Sequence, residues 1–339
     1  MEKHQKTIVM ITPLFSPYLG GVEKHVLELS RELIKKGYGI EIITHRYQND
    51  LICEEDLAGI KIHRFSYPKL RFFGLITIWW QMISKYLDLF KKADVVHVHD
   101  VMIWFLPLRF FFPKKRVVLT MHGWEGVFPI PNKNIFLKKI SAVFANKIVC
   151  VGEYIGKHYQ VCCDEVIYGG VSDSFFGSSQ QKQNSVIYLG RLENDTGLPI
   201  FLEAAKKDER ISVIFAGDGP LRSECESVGK VTGWLPEKKI ANLLTGAKWC
   251  VASGYLSALE ALSGGCEVIV IADNQLKQDY WQLWELRKSL HLVKNLQEMN
   301  KVIKKIGDSK IVLKNTAINF NKKYSWEKLT HQYLQIYFS

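Results

Sequence analysis

Residues 7–37 read TIVMITPLFSPYLGGVEKHVLELSRELIKKG, and the fold turns on how this stretch is parsed. Thr7 to Thr12 is a short β-rich run without alternation, as expected of a strand covered on both faces. Pro13 to Gly21 follow as a loop. From Val22 to Lys36 the period changes: Val22, Val26, Leu29, Leu33 and Ile34 recur on one helical face. Gly37 closes the helix, because the left-handed residue after a last turn is most easily glycine. Strand, glycine-bearing loop and helix form the unit from which parallel α/β sheets are built.

The unit recurs along the chain. Ile40 to Thr44, Ile60 to Phe65, Val95 to Val98, Val117 to Thr120 and Lys147 to Val151 read as further buried strands, with a long helical region from Leu75 to Phe90. A boundary falls near Gly169-Gly170, and the Ser-, Gln- and Gly-rich run from Phe175 to Asn184 reads as a linker or surface loop. The pattern then restarts. Ser185 to Leu189, Ile211 to Ala216, Lys230 to Gly233, Trp249 to Ala252 and Glu267 to Ala272 read as strands, and Pro199 to Ala205, Pro236 to Leu244 and Ala258 to Ser263 as helices. Ser325 to Phe338 has amphipathic helical spacing, with Ser325 a candidate N-cap. At 339 residues the chain is long enough to favour two cores. We expect an α/β protein of two Rossmann-like domains: 1–170, 171–322, and a terminal helix over 323–339.

The bulk numbers set limits. The net charge is +11, and the first 170 residues hold 23 Lys+Arg against 16 Asp+Glu. Such an excess suits phosphorylated substrates, an anionic membrane surface or nucleic acid. No nucleic-acid recognition signature accompanies it, so nucleic acid is not an expected partner. The seven cysteines show no metal-binding spacing, and adjacent Cys162 and Cys163 do not readily bridge each other. Reduced thiols of a cytoplasmic protein are expected. The N-terminus does not read as a signal peptide, and no stretch is long enough to cross a membrane. Phe72 to Ile83 is broken by Gly74, Thr77 and Gln81.

Five loops stand where chemistry gathers in parallel sheets, at the carboxyl ends of strands. Gly20-Gly21 open the first helix and allow close backbone approach by an anion, though the pair also reads as a tight turn. His122 follows a strand and offers a neutral imidazole, or is a structural loop residue. Gly190-Arg191 place a guanidinium fork at the rim of the second sheet, suited to phosphate or to a surface ion pair. Gly217, in FAGDGP, lies in a glycine-rich turn that could pass close to a nucleotide base. Ser253-Gly254-Tyr255-Leu256-Ser257 lead into a helix whose first N–H groups suit phosphate, and Glu260 could accept from ribose hydroxyls.

In order along almost the whole chain, GGVEKHVLELSRELIKKGY, ADVVHVHD, VVLTMHGWE, VIYLGRLENDTG, VIFAGDGP, VTGWLPEKKIANLL, ALEALSGGCEVIV and YSWEKLTHQYLQIY resemble family 4 of the retaining glycosyltransferases. The resemblance implies the GT-B fold: two Rossmann-like domains facing a central cleft, with the last helix crossing back onto the first. It implies a nucleotide-sugar donor, transfer with retention, and no metal or other cofactor. Gly20 and Gly21 would approach the donor diphosphate, His122 the donor sugar, Arg191 the leaving diphosphate and Glu260 the ribose. Gly190, Gly217, Gly254, Tyr255, Leu256 and Ser257 would complete the donor site.

Two family positions are changed. The Lys expected five residues beyond Arg191 is Thr196, and the Glu expected eight residues before Glu260 is Ala252, or Ser253 if one residue is deleted. Tyr255, Ser257 and Lys277 are candidates to compensate. Missing groups are also what an inactive relative, binding a nucleotide-sugar or a partner protein, would show. A sugar-nucleotide epimerase of the same fold is a further alternative. The basic, aromatic stretches Lys69 to Trp80 and Trp104 to Arg116 suggest an anionic membrane surface and a glycan or lipid-linked acceptor; they also read as core aromatics beside a solvated rim.

Overall fold

The computed structural model describes residues 5–68, 73–123, 126–175, 182–308 and 323–339. Trp124 and Glu125 of the His122 loop, 69–72 of the first basic stretch and 176–181 of the linker lie outside the described residues. The chain forms two compact units. One comprises the residues up to Glu125, Ile130–Ile167 and Leu329–Ser339; the other comprises Gly126–Pro129 and Tyr168–Lys328.

The first unit is built on β1 (Thr7–Thr12), β2 (Gly39–His45), β3 (Glu54–Leu57), β4 (Ile60–Phe65), β5 (Val95–His99), β6 (Arg116–Met121), β7 (Lys147–Cys150) and β8 (Glu165–Val166). They lie in the order β3-β4-β2-β1-β5-β6-β7-β8. Every described pairing is parallel except β3 with β4. Helices α1 (Gly21–Lys35), α2 (Phe73–Ser84), α3 (Leu87–Lys92), α4 (Met102–Phe111), α5 (Asn132–Val143) and α6 (Glu153–Tyr159) connect the strands. All five residues of β5 are buried, which is why this strand reads as a continuous run rather than an alternating one. After α1, Gly37 takes φ +87°. Its N–H donates to Ile34 O at 2.8 Å, and that of Tyr38 to Leu33 O at 3.1 Å, a terminus that glycine makes without strain.

Three features depart from the sequence reading. The single helix expected from Leu75 to Phe90 is two helices, α2 and α3, parted at Lys85-Tyr86. The acidic edge strand β3 was not anticipated; a charged edge resists pairing with other chains. One cysteine pair is not reduced: Cys150, at the end of β7, is disulfide-bonded to Cys163, with Cα atoms 5.9 Å apart. The chain that α6 folds back brings residues 13 apart within bridging distance.

The second unit repeats the scheme with β9 (Gln183–Leu189), β10 (Ser212–Ala216), β11 (Lys230–Gly233), β12 (Ala247–Ala252), β13 (Glu267–Ile271) and β14 (Leu290–Val293), in the order β11-β10-β9-β12-β13-β14. All pairs are parallel. Helices α7 (Leu198–Ala205), α8 (Arg222–Glu226), α9 (Glu237–Gly246), α10 (Tyr255–Ser263), α11 (Gln275–Gln282) and α12 (Leu296–Gly307) cover it. Tyr188, Phe201, Phe215, Trp249 and Ile269 lie in its core. Among the described residues, no helix is long and apolar enough to cross a membrane.

The last helix, Trp326–Phe338, begins where Ser325 Oγ accepts the Lys328 N–H at 3.2 Å. Its later part belongs to the first unit: Leu329, Thr330, Tyr333, Ile336 and Tyr337 are buried. Tyr333 shares hydrogen bonds of 3.1 Å with both Thr120 and His25. Removing this ring opens a cavity and takes one hydrogen bond from each partner. Tyr333→Ala should therefore destabilise the first unit by about 3–5 kcal/mol, as other buried aromatic truncations do. Urea unfolding followed by first-unit probes such as Trp79 and Trp104 will measure it, and a loss below about 1 kcal/mol would contradict this packing.

Candidate functional site

In each sheet the strand order reverses about one seam, and the carboxyl ends flanking such a seam are where ligands bind in open α/β folds. In the second unit the seam lies between β9 and β12. It brings Gly190-Arg191 and Ser253-Gly254-Tyr255 to one place. The crossing is tight: a Cβ on Gly190 would lie 1.8 Å from Ser253 Oγ, and one on Gly217 would lie 1.8 Å from Gly190 O. Gly190 also has φ +143°, a backbone that other residues rarely adopt. Gly190 thus lies against two other predicted residues, Gly217 and Ser253.

Arg191 is not a solitary cation. It is ion-paired with Glu193, and its Nη2 lies 2.9 Å from Asp195. Partial burial disfavours its charge, but Asp195 and Glu193 outweigh that and raise its pKa above the ordinary value. Thr196, at the position of the missing Lys, accepts from the Tyr188 hydroxyl at 2.7 Å and donates to Glu193 O at 2.7 Å. It braces the Arg191 loop and brings no charge. Lys277, weighed as a substitute cation, is buried and lies 2.7 Å from Asp273, so its charge is locally balanced.

The entrance of α10 is more occupied than its sequence suggests. The helix begins at Tyr255, not Ala258, because Ser257 Oγ accepts the Gly254 N–H at 3.0 Å and donates to Gly254 O at 2.9 Å. The Tyr255 N–H is taken by the Tyr280 hydroxyl at 2.9 Å, and the two rings stack with centroids 3.8 Å apart. Tyr255 is packed among Tyr168, Trp281 and Trp284, and Leu256 packs over Gly169. Glu260 sits one turn further in and is only 4% exposed. Tyr280 escaped the sequence reading because nothing in QDYWQ marks it.

In the first unit the seam lies between β1 and β5. Gly20 is the residue before α1, and a Cβ there would clash with the Glu23 carboxylate at 2.3 Å. Gly21 has open space on its Cβ side, with nothing within 4 Å. His122 follows β6, one strand from the seam. Its N–H donates to Asp100 Oδ1 at 3.1 Å, and its carbonyl accepts from the Tyr154 hydroxyl at 2.9 Å. Asp100 is ion-paired with Lys138. Burial works against this carboxylate, but Lys138 and His122 prevail and lower its pKa.

Residues 19–175 match the family model described as Glycosyltransferase Family 4. An uncharacterized glycosyltransferase of Methanocaldococcus jannaschii is 21% identical over 97% of this chain and 97% of its own. A component of the human phosphatidylinositol N-acetylglucosaminyltransferase is 22% identical over 77% of this chain and 61% of its own length. The chain therefore spans less than two thirds of that human protein. In structure it is similar to the sucrose-phosphate synthase of Thermosynechococcus elongatus, with a TM-score of 0.72 at 15% identity, over 98% of both chains. Over residues 19–175 the chain resembles the family 4 glycosyltransferases. Its fold is GT-B, as the ordered motifs implied.

The glycosyltransferase carries a feature that no single motif announces. Around His122 the first unit gathers three more histidines: His25 on α1, and His97 and His99 on β5. Ring centroids lie 5.2 Å apart for His25–His122, 5.4 Å for His99–His122 and 4.0 Å for His97–His99. Burial lowers every one of them. His122 falls to about 4, with Lys138 adding to the effect and Asp100 opposing it, and His97 falls to about 3. His25 and His99 lie well below the ordinary value. All four are neutral near neutral pH.

This sets an acid dependence. The unfolded chain takes up these protons as pH falls through about 6.5, whereas the fold refuses them until about 4 for His122 and about 3 for His97. The stabilisation is complete above the unfolded value and is lost on acidification, by about 1.4 kcal/mol per pH unit for each imidazole. The first unit's Tm should fall steeply between pH 6.5 and 4. Thermal melts across that range will test this, and a flat profile would show that these groups are already charged in the fold.

Proposed function

We propose that this glycosyltransferase is a retaining hexosyltransferase. It moves a sugar from a nucleotide-sugar, UDP- or GDP-linked, to a glycan or lipid-linked acceptor, without a metal, in cell-envelope polysaccharide or glycolipid synthesis. The observation that carries the reading is the convergence of Gly190, Arg191, Ser253 and Gly254 at the β9–β12 seam, with tight backbone crossings and one guanidinium. In the reaction the bond from sugar C1 to the diphosphate breaks and a bond from C1 to an acceptor hydroxyl oxygen forms. The hydroxyl proton leaves with the diphosphate. Negative charge grows on the departing diphosphate, and a guanidinium there stabilises the transition state more than the bound donor. Arg191 must exchange its carboxylate partners for phosphate oxygens to do this. Glu260 serves the ribose, and His122 a sugar oxygen.

The acceptor reading has two supports. The human relative's name specifies phosphatidylinositol. The first unit also presents Phe73, Ile76 and Trp80 on α2, Phe110 and Phe111 on α4, and Phe136, Leu137 and Val143 on α5, all exposed. α2 and α4 meet where Trp79 Nε1 donates to Ile103 O, and Phe110 meets Phe144 beyond α5. Lys114, Lys133 and Lys139 stand on or beside these helices. Aromatic and aliphatic groups among lysines suit an anionic lipid surface, and we place the enzyme peripherally on the cytoplasmic face of a membrane. Trp80→Ser/Phe110→Ser/Phe111→Ser should abolish flotation with anionic vesicles. Recovery equal to wild type, or wild-type binding to neutral vesicles alike, would remove the membrane reading.

One competing reading, a non-catalytic relative that binds a nucleotide-sugar or partner protein, is favoured by the carboxylates that hold Arg191 and by the uncharged Thr196. A thermal-shift screen with UDP-, GDP-, ADP- and CMP-sugars, followed by nucleotide-release assays, separates the two. Arg191→Ala should reduce release on the order of a hundredfold, and Glu260→Ala should weaken donor binding. Stabilisation by a donor without release across lipid and glycan acceptors would favour the non-catalytic relative. Unchanged donor binding and release in both variants would mean the donor lies elsewhere.

A further inference from the structure

The buried histidines of the first unit divide into two hydrogen-bonded sets. In the first, Tyr337 Oη lies 2.7 Å from His97 Nδ1, His97 Nε2 lies 2.7 Å from Thr120 Oγ1, and Thr120 Oγ1 lies 3.1 Å from Tyr333 Oη, which lies 3.1 Å from His25 Nε2. This row can run in either direction, because each hydroxyl donates one way and accepts the other. It sets no tautomer by itself.

The second set is the pair His99 Nδ1 and His122 Nε2, 3.1 Å apart. Here the two directions are not equivalent. His99 Nε2 is buried and has no hydrogen-bond partner among the described residues. If His122 Nε2–H donated to a bare His99 Nδ1, the proton of neutral His99 would sit on Nε2, an N–H enclosed with nothing to receive it. If His99 Nδ1–H donates, Nε2 is left only as a bare lone pair. Buried N–H groups without acceptors are the rarer and costlier defect. Both rings are neutral near neutral pH, so each carries one proton and one of the two arrangements must hold.

We propose that His99 is a positioning residue that sets the tautomer of His122: its Nδ1–H donates to His122 Nε2, which is therefore bare, and the His122 proton resides on Nδ1. The backbone on either side is held by other groups. Asp100 accepts the His122 N–H, Tyr154 donates to the His122 carbonyl, and the Tyr159 hydroxyl donates to the Gly123 carbonyl at 3.0 Å. No hydrogen bond joins His122 Nδ1 to the described residues, and the residue is only half-buried. His122 thus offers a donor from Nδ1, suited to a sugar hydroxyl or ring oxygen. Its one basic nitrogen is already committed to His99, so it is a hydrogen-bond donor rather than a general base. This consequence for turnover rests on the reading of His122 as a sugar-contacting residue; the tautomer does not.

The test is long-range proton–nitrogen correlation NMR on the whole chain with nitrogen-15-labelled histidine near neutral pH, with His122 assigned by the signal lost in His122→Gln. The expected spectrum shows both His99 and His122 protonated at Nδ1. A His122 proton on Nε2 overturns the proposal, and this is read from the assigned wild-type spectrum whether or not the His99 variants fold. His99→Phe keeps a ring but loses the donor. It should shift His122 toward the Nε2–H form and lower kcat for nucleotide release with little change in donor KM. His99→Asn restores a donor and should return the Nδ1–H signal. An unchanged His122 tautomer in a folded His99→Phe protein also overturns the proposal. A shifted tautomer with unchanged release supports it, and removes His122 from the reaction instead.

Discussion

A parallel sheet covered on both faces can meet a ligand only where its strands end. That constraint organises both units. β1, β5, β6 and β13 are buried along most of their length, so none of their side chains can serve a soluble substrate within the layer. Chemistry is displaced to the loops after the carboxyl ends, and the reversal of strand order parts neighbouring loops enough to admit a ligand. Gly190, Arg191 and Ser253 come together in the second unit for this reason. Gly20, Asp100 and His122 stand at or beside the corresponding place in the first.

Electrostatics at the second seam are self-contained before any donor arrives. Arg191 is held by Glu193 and Asp195, and Lys277 by Asp273. Two of the N–H groups that open α10 are taken by Ser257 and Tyr280. On the proposed reading, a bound diphosphate would compete with these carboxylates for the guanidinium, and the net interaction would be smaller than a bare Arg–phosphate pair gives. The uncharged Thr196 fits this economy, since its hydroxyl stiffens the loop that aims Arg191.

Much of the fold was legible because it follows from period. Buried parallel strands are unbroken apolar runs, and α1 announces itself by spacing and by Gly37. What was missed had weak or contradictory local signals. Pro107 inside the aromatic run of α4 argues against a helix, yet packing against α2 makes one. EEDL lacks β-branched residues but pairs as an edge strand. The candidate loops were legible as glycine-rich strand ends, and those after β9 and β12 meet at the seam. Partnership was not legible. That Arg191 meets two carboxylates, that Tyr280 caps α10 and that four histidines converge all depend on residues brought together by topology. The Cys150–Cys163 bridge belongs with these, since the spacing alone pointed to no partner.

The Tyr333–Thr120 contact joins positions 213 residues apart. On a ribosome, β5 and β6 emerge early, with His97 and Thr120 facing a place that only the terminal helix fills. The whole second sheet is synthesised in between, and its strands and helices are contiguous enough to mature during translation. The first unit is thus completed only after the second has been made. Until then it exposes polar groups that the finished interior encloses, and quality-control factors have their longest access to the first unit.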